Sequence, residues 1–131
     1  MRIGRLLFFS LISVITFSCS NELYPTNGER IYKTGRNSQG ERLLDKSSSR
    51  ITFVHSCQTC HGKKGDRMNG VSIKFSSLSD PDRMNNPYND SLFFRFLDHD
   101  LKSDGTKANI GVIWKMNDKD KKDLLNYLKT L

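Results

Sequence analysis

One pentapeptide constrains this chain more than anything else in it: Cys57-Gln58-Thr59-Cys60-His61, followed by Gly62. Two cysteines three positions apart fall about one helical turn apart, so their thiols share a face. A histidine directly after the second thiol adds an imidazole that can ligate a metal. A redox-active dithiol uses the same cysteine spacing, but places it at the start of a helix after a strand. No βαβ pattern surrounds the motif here. A zinc site needs two further ligands, and only His55 and His99 remain besides His61, with no second paired cluster.

Covalent haem attachment requires every residue of the motif. The thiols of Cys57 and Cys60 add to two vinyl groups on one edge of a haem, and His61 supplies the proximal imidazole to the iron. One haem c, anchored at Cys57 and Cys60 with His61 proximal, is therefore the preferred cofactor. It also answers a problem of size. The chain has 131 residues, fewer once a leader is removed, and a core that small is marginal unaided. A haem gives it an apolar centre to wrap.

The amino terminus reads as a targeting segment. Met1-Arg2-Ile3-Gly4-Arg5 is a basic start, and residues 6–17 are apolar apart from hydroxyl side chains. That run is short for a bilayer span and has the length of a signal-peptide core. Thr16-Phe17-Ser18-Cys19 resembles a bacterial lipobox, in which cleavage precedes a cysteine that takes a lipid. Residues 1–18 are read as a lipoprotein signal peptide, with Cys19 as the lipidation site. That accounts for the third cysteine in a chain with only three. The expectation is an exported, periplasm-facing, membrane-anchored lipoprotein, in agreement with haem attachment outside the cytoplasm.

The remaining chain divides into a tether, 19–29, and one domain, 30–131. Ser20 to Glu29 is polar, with Pro25 and Gly28, and reads as a flexible linker. Gly35 and Gly40 mark turns in an extended segment that includes Glu41 to Leu44, one reading being a small hairpin. Ser47-Ser48-Ser49 offers helix caps, and Ile51, Phe53, Val54 and Cys57 recur at helical spacing, predicting a helix over about 48–60. His55 on it is read as a solvated side chain. Residues 68–87 look irregular. Asn89 or Asp90 caps a second helix whose stripe is Leu92, Phe93, Phe96 and Leu97, with His99 at its end. Asp104-Gly105 is a turn. Asn117 starts a closing helix with Leu124, Leu125, Tyr127, Leu128 and Leu131 on its apolar face.

Cys-x-x-Cys-His-Gly-x-x-Gly, ending at Gly65, resembles class I c-type cytochromes, here a small monohaem lipoprotein type. The resemblance covers about Ser47 to Leu131 and includes the closing helix, whose Tyr127 matches an aromatic that crosses the haem-bearing helix in that family. Upstream, a Gly and the Ile31-Tyr32 pair are similar to the lead-in of small bacterial cytochromes. The resemblance implies a mostly α fold: about three helices wrapped around one covalent haem, with an extended N-terminal segment. It also implies one-electron transfer between membrane-associated redox partners.

The chain departs from the family at the distal ligand. Class I cytochromes usually carry a distal Met about sixteen or seventeen residues before the C-terminal aromatic. Counting back from Tyr127 reaches Ile110 and Gly111, which cannot bind iron. Met116, two residues after Trp114, is the first candidate, although it also suits a staple at the helix start. Met84, Met68 and His99 are further candidates, and an empty sixth position is the last. An empty position points instead to a five-coordinate haem protein that binds a small gas as sensor or scavenger. A haem domain accessory to a larger oxidase or dehydrogenase complex is a third reading.

Charge bears on partners. The chain carries +7, and Arg2 and Arg5 are the leader's only charges, which leaves +5 from Cys19 onward. A basic surface suits acidic redox proteins. Nucleic acid fits poorly, since Lys and Arg are scattered without aromatic interleaving. No triad, phosphate loop or acid pair supports a hydrolase or kinase, so an electron carrier rather than an enzyme is expected.

Overall fold

A computed structural model describes residues 23–67 and 72–131. The leader, Cys19 and Met68 lie outside the described residues. Within them the protein is mostly helical: α1 (Asn27–Thr34), α2 (Cys57–His61), α3 (Phe75–Leu78), α4 (Asp90–His99) and α5 (Asp118–Leu128), with isolated bridges and no strands.

Helix α1 replaces what reads in sequence as the end of a tether and an extended segment. The Thr26 side chain accepts from the Glu29 amide and starts the helix. Gly35, left-handed at φ 65°, ends it by returning its amide to the Ile31 carbonyl. Gly28 is dictated by packing rather than by flexibility. A Cβ there would lie 2.0 Å from the Asp123 carbonyl oxygen and 2.9 Å from the Tyr127 Cβ, so α1 and α5 cross in van der Waals contact at this glycine. The crossing is reinforced by the Asn27 amide donating to Asp120 and Asp123, and by the Tyr32 and Tyr127 rings, 5.3 Å apart. Tyr127 thus meets α1 and not the haem-motif helix, which corrects its expected partner.

The helix expected over 48–60 is cut to Cys57–His61. Residues 43–51 instead run beside 109–115. The Asp45 amide donates to the Ile113 carbonyl, the Ile51 amide to Gly111, and the Lys115 amide to Leu43; Leu44 bridges Trp114 antiparallel. The Ser49 hydroxyl accepts from the Ile113 amide, so this serine serves a neighbouring segment and not a helix cap. β-branched Ile51, Thr52 and Val54 favour the extended backbone that this pairing needs. The small hairpin near Gly40 is present as an Arg36–Arg42 bridge, with Gly40 at φ 83° in its turn.

The later elements follow the sequence closely. Asn89 caps α4 through the Leu92 amide and Asn117 caps α5 through the Asp120 amide. Phe93 and Leu97 are buried, with Leu92 and Phe96 half-buried beside them. Leu124, Leu125 and Leu128 are buried beneath α5. The stretch 68–87, read as irregular, differs: among its described residues it holds the four-residue helix α3, whose last residue, Leu78, is buried.

Candidate haem site

Cys57 opens α2 and Cys60 and His61 close it, so one turn presents both thiols and the imidazole together. Ser56, the N-cap, is extended, and its hydroxyl lies 3.1 Å from the Thr59 hydroxyl. Gly62, at φ 70°, then turns the chain sharply, a backbone state suited to glycine. Tyr32 of α1, fully buried, donates its hydroxyl to the Gly62 carbonyl at 2.5 Å and so pins the turn after His61 to the α1–α5 crossing.

Both thiols are free and half-buried. Burial pushes the Cys57 thiol up to about 12, so it is a thiol and not a thiolate at neutral pH. Burial also lowers the His61 pKa, keeping the imidazole neutral and its lone pair available to a metal. The His61 Nδ1 is sealed from solvent and has no hydrogen-bond partner among the described residues. An unpaired buried polar atom is costly and calls for an explanation. Coordination of a metal by this ring is one.

The motif meets the hydrophobic core through Cys57. Ten buried side chains form its centre, while eleven more apolar ones, among them Cys57, Phe75, Met84, Phe96, Trp114 and Met116, pack against it only half-buried. That donor set and that apolar shell fit a covalent haem. They fit zinc less well, since among the described residues no three His, Cys, Asp or Glu gather as ligands. Two clefts, of about 530 and 470 Å³, lie elsewhere: one between Arg50, His99, Lys107 and Gly111, the other between the start of α1 and α5.

Met116 packs half-buried against the core, between two anchored neighbours. The Lys115 amide is bonded to Leu43 at 2.8 Å, and Asn117 caps α5. Met84 is likewise half-buried against the core. His99 is exposed at the end of α4, and His55 is exposed with its Nδ1 3.4 Å from Arg42 Nη1. Ile110 is 45 % exposed, and Gly111 is buried with its carbonyl accepting from Ile51.

Sequence reasoning missed Tyr32 as the residue that holds the haem-motif turn. Its signal was present in Gly28-x-x-Ile31-Tyr32, a helical spacing read there as extended chain. No family model matches the sequence, and no curated protein and no solved structure is similar to it.

Proposed function

We propose that this chain is a monohaem c-type cytochrome that carries single electrons between membrane-associated redox partners. The observation that carries the reading is the α2 turn, where two free thiols and a neutral, partly buried imidazole stand together at an apolar shell. Haem c, when bound, supplies a one-electron ferric/ferrous couple. Cys57 and Cys60 would hold it through thioethers, and His61 would supply the imidazole to its iron. The half-buried aromatic and thioether side chains exclude water, which disfavours the extra charge of the oxidised state. Tyr32 orients the Gly62 turn and, through it, the backbone of His61. Met116 is the proposed distal ligand. Cys19 is the proposed lipid anchor on the exported protein.

A second reading, an open iron that binds a small gas, is favoured by one feature. Where the family resemblance places the sixth ligand, Ile110 faces solvent and Gly111 has no side chain.

Absorption spectra of protein matured with covalent haem, ferric and ferrous, with and without CO, test both. Low-spin spectra with a Met–iron charge-transfer band and no CO response support the carrier. High-spin spectra with prompt CO binding support the open iron. Absence of covalent haem, with the maturation machinery present, refutes both readings.

A further inference from the structure

Two side-chain atoms of the haem-motif turn are sealed from solvent without a hydrogen-bond partner among the described residues: Gln58 Oε1 and His61 Nδ1. Each is costly alone, and the two are complementary. An amide oxygen only accepts. A neutral imidazole that holds a metal through one nitrogen carries its proton on the other and donates. The open side of the ring decides which nitrogen is which. His61 Nε2 is neither sealed nor hydrogen-bonded, so a metal meets the ring there and leaves the Nδ1–H inside the protein.

The register of α2 brings the two side chains into one row. Gln58 and His61 are three residues apart, in a turn closed by the Gly62 amide donating to the Gln58 carbonyl at 2.8 Å. Side chains at that spacing have Cβ atoms about 5–6 Å apart, a gap that the three side-chain torsions of a glutamine can close. Cys57 and Cys60 occupy the neighbouring row, about 100° round the helix, so Gln58 can serve the imidazole without displacing a thiol.

Other acceptors of the turn are already engaged. The Ser56 carbonyl accepts from the Thr59 amide, the His61 carbonyl from the Arg67 amide and the Gly62 carbonyl from the Tyr32 hydroxyl. The Ser56 and Thr59 hydroxyls meet each other at 3.1 Å. Gln58 Oε1 is a buried acceptor beside them that has no donor.

We infer that Gln58 is a positioning residue for the iron-binding histidine, its Oε1 accepting the Nδ1–H of His61. The inference rests on the haem reading above and adds the side chain that sets the imidazole. Gln58 acts on the iron through His61. The bond fixes the rotation of the ring and makes the imidazole a stronger electron donor, which favours the ferric state. It also satisfies both sealed atoms.

The test follows the Nδ1–H proton of His61 by NMR in protein matured with covalent haem, together with the reduction potential from spectroelectrochemistry. Gln58→Leu keeps much of the bulk and removes the acceptor. It is expected to speed exchange of the Nδ1–H with water by about tenfold or more, and to raise the potential by about 59 mV, the one-electron equivalent of a tenfold shift toward the ferrous state. Gln58→Glu keeps an acceptor in place and is expected to retain slow exchange, with a potential below that of wild type. Thr59→Ala, in the same turn but outside this row, is expected to change neither reading. If Gln58→Leu does not take up haem, Gln58→Met decides by the same two measurements. Equal exchange in wild type and the apolar variant, or an unchanged potential, overturns the proposal and gives the Nδ1–H to a backbone carbonyl. Wild-type protein without covalent haem refutes the haem reading itself, while haem-loaded variants that behave as wild type refute only the role of Gln58.

Discussion

Replacing Gly28 by alanine should destabilise the protein, although alanine is the better helix former. The added Cβ would sit 2.0 Å from the Asp123 carbonyl oxygen and 2.6 Å from its carbon, both backbone atoms that no rotamer change can move. Ordinary contact requires more than 3 Å, so α1 and α5 must separate by about 1 Å. A radial gap of that size forfeits about a quarter to a half of the dispersion attraction across it. The two helices bury Ile31, Tyr32, Leu124, Leu125 and Leu128, and full burial of such a side chain is worth about 1.5–3 kcal/mol. A quarter of that over several residues is about 3 kcal/mol. The gain in helix propensity offsets at most about 1 kcal/mol. The net expectation is a loss of about 2 kcal/mol, or a Tm lower by about 10 °C for a domain of this size. Urea and thermal unfolding of haem-loaded protein, followed by far-UV circular dichroism, measures it. A Gly28→Ala protein as stable as wild type, or more so, would mean that the helices do not cross at this residue.

Three further outcomes follow from the structure. Tyr32→Phe removes the donor to the Gly62 carbonyl from a fully buried site; a loss of about 1–2 kcal/mol is expected in urea titration, with a change in the haem spectrum because the turn after His61 loosens. Asp45 is held well below the usual carboxylate range by hydrogen bonds from Ser47 and Ser48, with Lys115 beside it. Its contribution is fully present above the unfolded-state value near 4 and is lost as pH falls toward its lower folded-state value, so Asp45→Asn should lower stability at neutral pH and flatten the acid limb of a pH–stability curve. In the apoprotein, burial lifts the Cys57 thiol to about 12, leaving about one molecule in ten thousand as thiolate at pH 8; mass-spectrometric mapping should find iodoacetamide labelling at Cys57 slow until the protein is unfolded.

Local signals in the sequence placed α4, α5 and their Asn caps, because in each a capping side chain directly precedes an apolar stripe at helical spacing. The motif at Cys57–His61 was legible for a different reason: its chemistry fixes residue type and spacing together. Two misreadings came from tertiary partners. Gly28 read as linker, since nothing local shows that a distant helix needs its missing Cβ. Ser47–Ser49 read as helix caps, since nothing local shows that Ser49 bonds to Ile113, 64 residues away.

The segment between α1 and the haem motif bears most directly on coordination. It leaves at Gly35, where an added Cβ would stand 1.9 Å from the His55 carbonyl oxygen, so the chain closes an excursion of about twenty residues at its own starting point. The middle of that excursion grips 109–115 through the Asp45, Ile51 and Lys115 amide bonds and the Ser49 hydroxyl. These bonds hold the strap by protein contacts alone. For Met116 to reach the iron by a loop shift, the Lys115–Leu43 bond or the Asn117 cap has to give, at about 1 kcal/mol each. Hydrogen exchange at the Lys115 and Asp120 amides, read together with the spectrum, therefore shows whether ligation moves this loop. If Met116 binds iron by a loop shift, haem-loaded protein should lose protection at one of these amides relative to its Met116→Ala variant. If the iron is open, wild type and variant should show the same protection at both. A Met–iron band alongside full protection at both amides would show that Met116 reaches the iron without any shift, and that the strap was already set for ligation.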